Sequence, residues 1–193
     1  MKRLLSALCI SLLALSASTA FADKDDDEKK KKKPTNAEKR AEIDQLAKET
    51  LAELFEKSEK AKELSDKAAG YAVFDNTRVT FIVTGGGGAG VAVDKESGKR
   101  TYMKMGTGGL AFGIGAQKYQ VIMFFEKAEK LTDFIEHGWK AESGANAAAG
   151  EKGANVGTGF INGIAIFQVT EAGLMASADI SGTKYKVDKK LNE

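Results

Sequence analysis

The sequence predicts an α+β fold, in which an N-terminal amphipathic helix or helix pair packs on a glycine-rich, mainly antiparallel sheet with one inserted helix. Apolar residues recur with helical spacing between positions 36 and 69 and with a period near two afterwards. All 21 glycines lie at or after Gly70, so the chain divides there into a helical front and a β-rich body. The sheet is expected to be either open or closed into a barrel-like shape.

The first 22 residues have the three parts of a secretory signal peptide. A basic start, Lys2 and Arg3, precedes an apolar run from Leu4 to Leu15, and Ala20-Phe21-Ala22 has the form of a cleavage site. The run is shorter than the roughly 18 apolar residues that a membrane-spanning helix needs. We therefore expect cleavage after Ala22 and a periplasmic protein, either free or peripheral to an envelope membrane.

Charge and cysteine content exclude two classes of function. The chain has 29 basic and 27 acidic residues, and two of the bases belong to the predicted signal, so the mature chain is neutral. A protein that binds nucleic acid by neutralising phosphates is normally basic, and we predict no nucleic-acid partner. The single cysteine, Cys9, also lies in the signal. The mature chain therefore has no disulfide, thiol chemistry or cysteine metal site.

Residues 23–35 are predicted to form a disordered charged leader. An acidic block is followed by five lysines up to Lys33, and nothing apolar is available to bury. Two interpretations remain open. The leader is a flexible solubilising segment, or its lysines attach to an anionic membrane at about 1 kcal/mol per Lys.

Thr35 and Glu38 have the T-x-x-E spacing of a capping box, which predicts that a helix begins here. Glutamates and lysines fill one half of the helical wheel, and apolar residues fill the other. The apolar residues are Ile43, Leu46, Ala47, Leu51, Leu54, Phe55, Ala61, Leu64 and Ala68. The length of the pattern predicts a break near Ser58 and a stop at Gly70. The mixed charges of the polar face favour packing on the body over a lipid interface.

Residues 36–193 are expected to form one domain, helical over 36–69 and mainly β over 70–193. Strands are predicted at Tyr71–Phe74, Val79–Thr84, Val91–Val93, Thr101–Met105, Tyr119–Glu126, Phe160–Thr170, Leu174–Ile180 and Lys184–Val187. Asp75-Asn76 and Lys95–Gly98 are predicted turns. The inserted helix runs from Lys127 to His137 and ends at Gly138. The segment 143–157 fits either a strand pair or a loop.

Two glycine patterns predict close approach of the backbone. Gly85, Gly87 and Gly90 match G-x-G-x-x-G, but a strand follows them, and a dinucleotide site requires a helix there. We therefore interpret Gly85–Gly90 as a tight corner between strands. Small and large residues alternate over Gly109–Gly115, which predicts one strand with a bare face. Another element of the chain or a ligand would lie against that face.

The sequence offers no catalytic constellation. His137 is the only histidine, which excludes a multi-histidine zinc site, and no G-x-S-x-G motif is present. Carboxylates are scattered over loops and strands, so an acid pair for glycoside cleavage stays open without a spacing that favours it. The prediction is a protein that is not an enzyme and has neither cofactor nor metal.

Several motifs together resemble the SYLF domain family over roughly Leu54 to Tyr185. They are Lys67–Phe74, Gly90–Val93, Gly106–Gln117, Gly173–Met175 and Gly182. The chain is most similar to the exported bacterial branch of lipid-binding SYLF proteins, which is related to the yeast actin-regulator family. Eukaryotic members bind phosphoinositides through an amphipathic N-terminal helix and nearby bases, and some bind actin. The resemblance implies binding of lipid or a membrane surface without catalysis.

The resemblance also implies which residues form the site. They are Leu51, Leu54 and Phe55 on the helix face, Lys60, Lys62 and Lys67 further along the helix, and Arg100, Lys104 and Lys118 on the sheet. The expected partner is an anionic lipid or a membrane surface of the bacterial envelope. The alternative is a structural or interaction protein that docks a protein partner on its glycine-rich sheet face.

Overall fold

A computed structural model describes residues 33–80, 83–110, 115–138, 159–170, 173–175 and 183–193. The predicted signal peptide, most of the predicted leader and the segment 143–157 lie outside these ranges. Residues Pro34–Glu193 form one compact unit.

Two helices open the described chain, as predicted. Helix α1 spans Asn36–Lys57, and Thr35 and Glu38 form the predicted capping box at its start. Ser58 is extended, with φ −150° and ψ 103°, and its hydroxyl accepts a hydrogen bond from the Ala61 amide at 3.1 Å. One serine therefore ends α1 and caps α2 (Glu59–Lys67). The predicted break near Ser58 is confirmed.

Seven strands and two further helices complete the described fold. They are β1 (Gly70–Thr80), β2 (Val83–Asp94), β3 (Arg100–Leu110), β4 (Gly115–Phe125), α3 (Ala128–His137), β5 (Ile164–Thr170), β6 (Gly173–Met175), β7 (Thr183–Val187) and α4 (Lys189–Asn192). The strand order is β6-β5-β4-β1-β2-β3-β7, and every described pair is antiparallel. The described strands form an open sheet with β6 and β7 at its edges, which confirms the α+β class.

Both faces of the sheet carry a packed core. On one face, Phe134 of α3 contacts the rings of Phe125, at 5.1 Å between centroids, and Tyr185, at 5.4 Å. On the other face, Leu54 of α1 and Leu64 of α2 pack in the same cluster as Val73. Because both faces are covered, β4 has no polar face near its end and is buried from Val121 to Phe125. This confirms the prediction of a central strand.

Gly70 does not stop the helix. Helix α2 ends at Lys67, where the Ala68 amide donates to the Ser65 carbonyl, and Gly70 is the first residue of β1. A Cβ atom at Gly70 would lie 2.5 Å from Leu131 Cδ2 and 2.7 Å from the Val93 carbonyl oxygen. Close packing between α3 and the sheet therefore explains this glycine.

The predicted turn at Asp75-Asn76 is wrong, because β1 continues straight through both residues. Asn76 is fully buried and its amide donates to the Tyr119 hydroxyl, while Asp75 accepts from Gln120 Nε2 at 3.0 Å. Both partners lie on β4, the neighbouring strand. Asp75 and Asn76 favour a turn when only their neighbours in sequence are considered. Hydrogen bonds to the neighbouring strand satisfy their side chains and keep both residues in β1.

The predicted tight corner at Gly85–Gly90 is also wrong. The block lies inside β2 and pairs with β1 on one side and β3 on the other. A Cβ atom at Gly88 would overlap the Asp75 carbonyl, and one at Gly90 would overlap the Phe74 ring. Gly88 and Gly90 therefore allow close approach of the backbone, as predicted. They do so inside a strand that is paired on both sides, and not at a corner between strands.

The single bare strand predicted over Gly109–Gly115 is divided between two strands. Leu110 ends β3 and Gly115 begins β4, and the sheet places β2 and β1 between them. Residues 111–114 lie outside the described ranges. The local alternation of small and large residues does not distinguish one strand from the ends of two.

Two later boundaries also differ from prediction. Strand β5 begins at Ile164, because Ile161 and Ile164 bridge a turn in which Asn162 has φ 52° and Gly163 has φ 81°. Of the strand predicted over Leu174–Ile180, the described part is the end of β6, and the rest lies outside the described ranges.

The hairpin at Lys95–Gly98 and the end of α3 at Gly138 are confirmed. The Asp94 amide donates to the Lys99 carbonyl across the hairpin at 3.0 Å. Gly138 has φ 67°, and its amide donates to the Phe134 carbonyl at 2.9 Å. Helix α4 was not predicted from the sequence.

Candidate binding site

A cleft of about 630 Å³ lies between α1 and the sheet. Its lining comes from α1 and from three strands of the sheet that lie further along the chain. The lining residues are Ala41, Asp44, Gln45, Ala47, Lys48, Leu51, Ala52 and Phe55 of α1, with Tyr71 of β1, Val91 and Val93 of β2 and Arg100 of β3. We call this feature the α1 cleft.

Helical spacing explains why α1 presents these side chains together. Asp44, Lys48, Leu51 and Phe55 follow one another at intervals of four, three and four residues, which places them along one flank of the helix. Leu54 is fully buried in the core cluster beneath the helix. The flank of α1 therefore faces the cleft, and the centre of its apolar stripe holds the helix on the sheet.

The apolar part of the cleft is well anchored. The Phe55 ring stacks on Phe124, with centroids 6.3 Å apart and planes 17° from parallel. Val91 and Val93 of β2 are buried on the sheet side of the cleft, and Leu51 is half-buried on the α1 side with Phe55. Such rigid aliphatic and aromatic walls suit an apolar ligand, because they need no rearrangement to receive it.

Asp44 organises the polar end of the cleft. Its Oδ2 accepts from Arg100 Nη1 at 2.5 Å and from the Tyr102 hydroxyl at 3.1 Å. Its Oδ1 is buried and has no hydrogen-bond partner among the described residues. The Asp44 carboxylate therefore contacts both a guanidinium and a phenol, which belong to residues two positions apart on β3.

The electrostatics follow from this arrangement. The hydrogen bond and charge of Asp44 raise the pKa of Arg100 above its ordinary value. Burial raises the pKa of Tyr102, and the hydrogen bond to Asp44 raises it further. Burial also raises the pKa of Tyr71. At neutral pH the polar end therefore has a charged guanidinium and two neutral phenols.

The other residues implied by the resemblance lie apart from the cleft. Lys60 and Lys67 of α2 both bind Glu63, at 2.9 and 2.7 Å, and hold the pKa of that exposed carboxylate at about 2. Lys62 is exposed on the same helix. Of the nine residues, the structure brings Leu51, Phe55 and Arg100 together at the cleft.

Lys104 and Lys118 lie on the half of the same sheet face that α1 leaves uncovered. Lys104 pairs with Asp188 at 2.9 Å, and Lys118 Nζ lies 3.8 Å from Asp75. One row across the strands consists of exposed residues: Lys118, Thr77, Gly87, Gly106 and Lys184.

Four glycines of this half, Gly85, Gly87, Gly106 and Gly108, are exposed, and we call them the glycine surface. A Cβ atom added at Gly85, Gly106 or Gly108 would have no described neighbour within 4 Å. Packing inside the described chain therefore does not account for these glycines, in contrast to Gly88 and Gly90.

Helix α4 holds the N-terminal half of α1 in place. Arg40 Nη1 donates to the Leu191 carbonyl at 3.1 Å, and Asn36 Nδ2 donates to the Lys190 carbonyl at 2.8 Å. Leu191 is buried in the same core cluster as Leu54. Sequence patterns do not indicate these contacts, because they join residues about 150 positions apart.

The described part of the chain contains neither a metal-binding cluster nor a membrane-spanning helix. No three histidine, cysteine, aspartate or glutamate side chains cluster there in a way that would hold a metal ion. None of the described helices is both long and apolar enough to cross a membrane.

Comparisons with known proteins agree with the sequence motifs. The family model Ysc84, described as "Las17-binding protein actin regulator", matches residues 106–193. The protein "Beta cell expansion factor A" from Aeromonas veronii is 43% identical over 159 residues, which are 82% of this chain and 61% of that relative. The chain thus spans less than two thirds of the relative. These matches confirm the resemblance to the SYLF (Ysc84) family that the motifs indicate.

Proposed function

We propose that this chain is a non-enzymatic protein that binds anionic lipid at a membrane surface of the bacterial envelope. The observation that supports this proposal best is the α1 cleft, where Leu51 and Phe55 provide apolar contacts beside the Arg100 guanidinium. A lipid presents the same two chemistries side by side, an acyl chain and an anionic headgroup. The cleft therefore matches a lipid better than it matches a uniformly polar or uniformly apolar partner.

The comparisons support binding over turnover. The family description names a binding protein and regulator, and the name of the relative describes a factor. Neither name includes a reaction. Turnover of an ester or glycoside substrate that is abolished by replacing one carboxylate would contradict the non-enzymatic part of the proposal.

The carboxylates beside the bases predict how binding depends on salt. Arg100, Lys104 and Lys118 each lie within 4 Å of an aspartate oxygen. An anionic headgroup must therefore compete with that aspartate for each base. Such exchange between partly exposed charges is screened by salt, since the Debye length falls from about 10 Å at 0.1 M to about 3 Å at 1 M.

Vesicle flotation tests the proposal directly. The chain from Asp23 onward is mixed with vesicles of phosphatidylglycerol and phosphatidylcholine, or of phosphatidylcholine alone, and centrifuged through a density gradient. We expect flotation with the anionic vesicles at low salt, loss of flotation at high salt and none with neutral vesicles. Absence of salt-sensitive flotation with anionic vesicles would contradict lipid binding.

A matched pair of variants on α1 locates the contact. Leu51→Asn places an amide in the cleft, and Leu46→Asn makes the same change at a half-buried position outside the cleft lining. We expect the first variant to weaken flotation about tenfold and the second to leave it close to that of the unmodified chain. Equal effects would remove the α1 cleft from the contact.

A protein partner on the glycine surface is the second candidate function. The observation in its favour is that Gly85, Gly106 and Gly108 have open space where a side chain would be. Gly106→Val would block close approach there, and Gly115→Val is the control on the opposite face of the sheet, also with open space. Unchanged flotation together with loss of a purified partner's binding in Gly106→Val would favour this candidate.

The envelope location is part of the proposal. It rests on the predicted signal over residues 1–22 and is tested by fractionation of cells that produce the whole chain. We expect the protein in the periplasmic fraction, with Asp23 as its first residue by mass spectrometry. Recovery of the uncleaved chain in the cytoplasm would contradict it.

A further inference from the structure

We infer that the α1 cleft is a binding site for one fatty acid, with the acyl chain between α1 and the sheet and the carboxylate beside Arg100 and Lys48. This inference rests on the proposed function and deepens it. It adds a ligand with a single acyl chain, and a cleft that holds it, to the proposed binding at a membrane surface.

The volume of the cleft sets the size of the ligand. Small-molecule sites in proteins have volumes of about 300–1,000 Å³, and the α1 cleft has about 630 Å³. A methylene group is close in size to a water molecule, whose share of liquid volume is about 30 Å³. The cleft therefore accommodates on the order of 20 such groups. This is enough for one long acyl chain with its carboxylate.

The walls of the cleft suit an acyl chain. Leu51 and Phe55 line the α1 side, and Val91 and Val93 line the sheet side. Transfer of methylene groups from water to such an apolar wall is favourable. Because Phe55 is already stacked on Phe124 and the valines are buried in the core, the walls lose little conformational freedom when a chain enters.

The charges at the cleft select an anion. Lys48, Arg100 and Asp44 are the charged residues of the lining, so the lining has one more positive charge than negative. Arg100 is half exposed and contacts Asp44 through Nη1. A guanidinium has five N–H donors, so others remain for a ligand carboxylate. A neutral amphiphile of the same length would leave the surplus charge unpaired.

The experiment uses the fluorescent fatty acid cis-parinarate below its aggregation concentration and the chain from Asp23 onward, without vesicles. We expect saturable binding of one molecule per chain and displacement by palmitate. The methyl ester of the probe, which is neutral, is expected to bind at least tenfold more weakly. Equal binding of acid and ester would overturn the role assigned to Arg100 and Lys48.

Two variants distinguish the cleft from other apolar surfaces. Ala52→Trp adds a large ring to an exposed position of the cleft lining, and Ala37→Trp adds the same ring to an exposed position of α1 outside it. We expect at least a tenfold loss of affinity in the first variant and no change in the second. Circular dichroism and urea titration verify that both variants are folded. Equal affinities in two folded variants would overturn the inference.

A further variant isolates the charge without leaving a lone carboxylate. In Asp44→Asn/Arg100→Gln both partners of the ion pair are replaced by neutral amides. We expect weaker binding of the acid and unchanged binding of the ester. Lys39→Gln, which changes an exposed lysine of α1 outside the cleft lining, is the control for a general loss of positive charge.

The results for the two proposals are distinguishable. Flotation with anionic vesicles without saturable binding of monomeric fatty acid would overturn the fatty-acid site and leave the membrane proposal standing. Saturable fatty-acid binding without flotation would support the cleft site and contradict the membrane proposal.

Discussion

Asn192 pairs with the backbone of Tyr102 as the residue of a neighbouring strand would. Its Oδ1 accepts from the Tyr102 amide at 3.0 Å, and its Nδ2 donates to the Tyr102 carbonyl at 2.8 Å. The same Nδ2 donates to the Asp188 carbonyl at 2.8 Å. The Asn192 side chain of α4 thereby continues the hydrogen-bond ladder of β3 past the end of β7. The Tyr102 hydroxyl on the same strand binds Asp44 of α1.

We expect Asn192→Ala to lower the free energy of unfolding by about 1–3 kcal/mol, because the Tyr102 amide loses its partner in a partly buried site and the Tyr102 carbonyl keeps only the Asp188 amide. Urea denaturation followed by circular dichroism measures the change. Glu193→Gln, which alters the exposed neighbouring residue, is the control. A change below about 0.3 kcal/mol in Asn192→Ala would mean that water replaces the side chain without cost.

The glycines of β2 and β3 are expected to differ sharply in their response to alanine. Gly90→Ala forces a Cβ atom against the Val73 carbonyl and the Phe74 ring, and overpacking of this kind costs about 1–3 kcal/mol. Gly106→Ala meets open space and is expected to stabilise the strand by up to about 1 kcal/mol. Thermal unfolding of the two variants makes the comparison, and destabilisation by Gly106→Ala would reveal a structural need for that glycine.

The Glu63 carboxylate is expected to titrate near pH 2. Its hydrogen bonds to Lys67 and Lys60 lower the pKa from 4.5 to about 2. A depressed folded-state pKa contributes stability that is present above pH 4.5 and is lost as the pH falls toward 2. Carboxyl NMR titration measures the midpoint. In Lys60→Ala/Lys67→Ala we expect the midpoint to return toward 4.5, and an unchanged midpoint would exclude the two lysines as its cause.

Two neighbouring leucines of α1 are expected to separate stability from binding. Leu54 is fully buried, and Leu54→Ala is expected to cost about 2–5 kcal/mol through the cavity it leaves. Leu51 is half-buried at the cleft, so Leu51→Ala is expected to cost less and to weaken lipid binding more. Urea titration and vesicle flotation of both variants provide the test. The reverse order of stabilities would contradict the placement of α1.

Sequence patterns predicted a structural feature correctly where the residues that determine it are close in sequence. The capping box of Thr35 and Glu38, the break at Ser58 and the end of α3 at Gly138 were all predicted correctly. Each depends on hydrogen bonds between residues no more than about four positions apart. The apolar run before Glu126 likewise indicated a strand covered on both faces.

The features that were predicted wrongly depend on contacts between residues far apart in sequence. Asp75 and Asn76 favour a turn by themselves, but Gln120 and Tyr119 of β4 hold them in a strand. The glycines of Gly85–Gly90, taken alone, indicate a corner, but β1 and β3 pair with this segment on both sides and make it part of a strand. Local propensities amount to about 1 kcal/mol per residue or less, and pairing across a central strand outweighs them.

The sequence by itself determined the fold class and the resemblance to the SYLF family, because these follow from periodicity and short motifs. The tertiary structure decided how distant residues combine. It placed Leu51 and Phe55 beside Arg100 in one cleft, buried Leu54 behind them and paired Arg100 with Asp44. Helical spacing defines a face of α1, and only packing on a sheet about 50 residues further along the chain defines what that face meets.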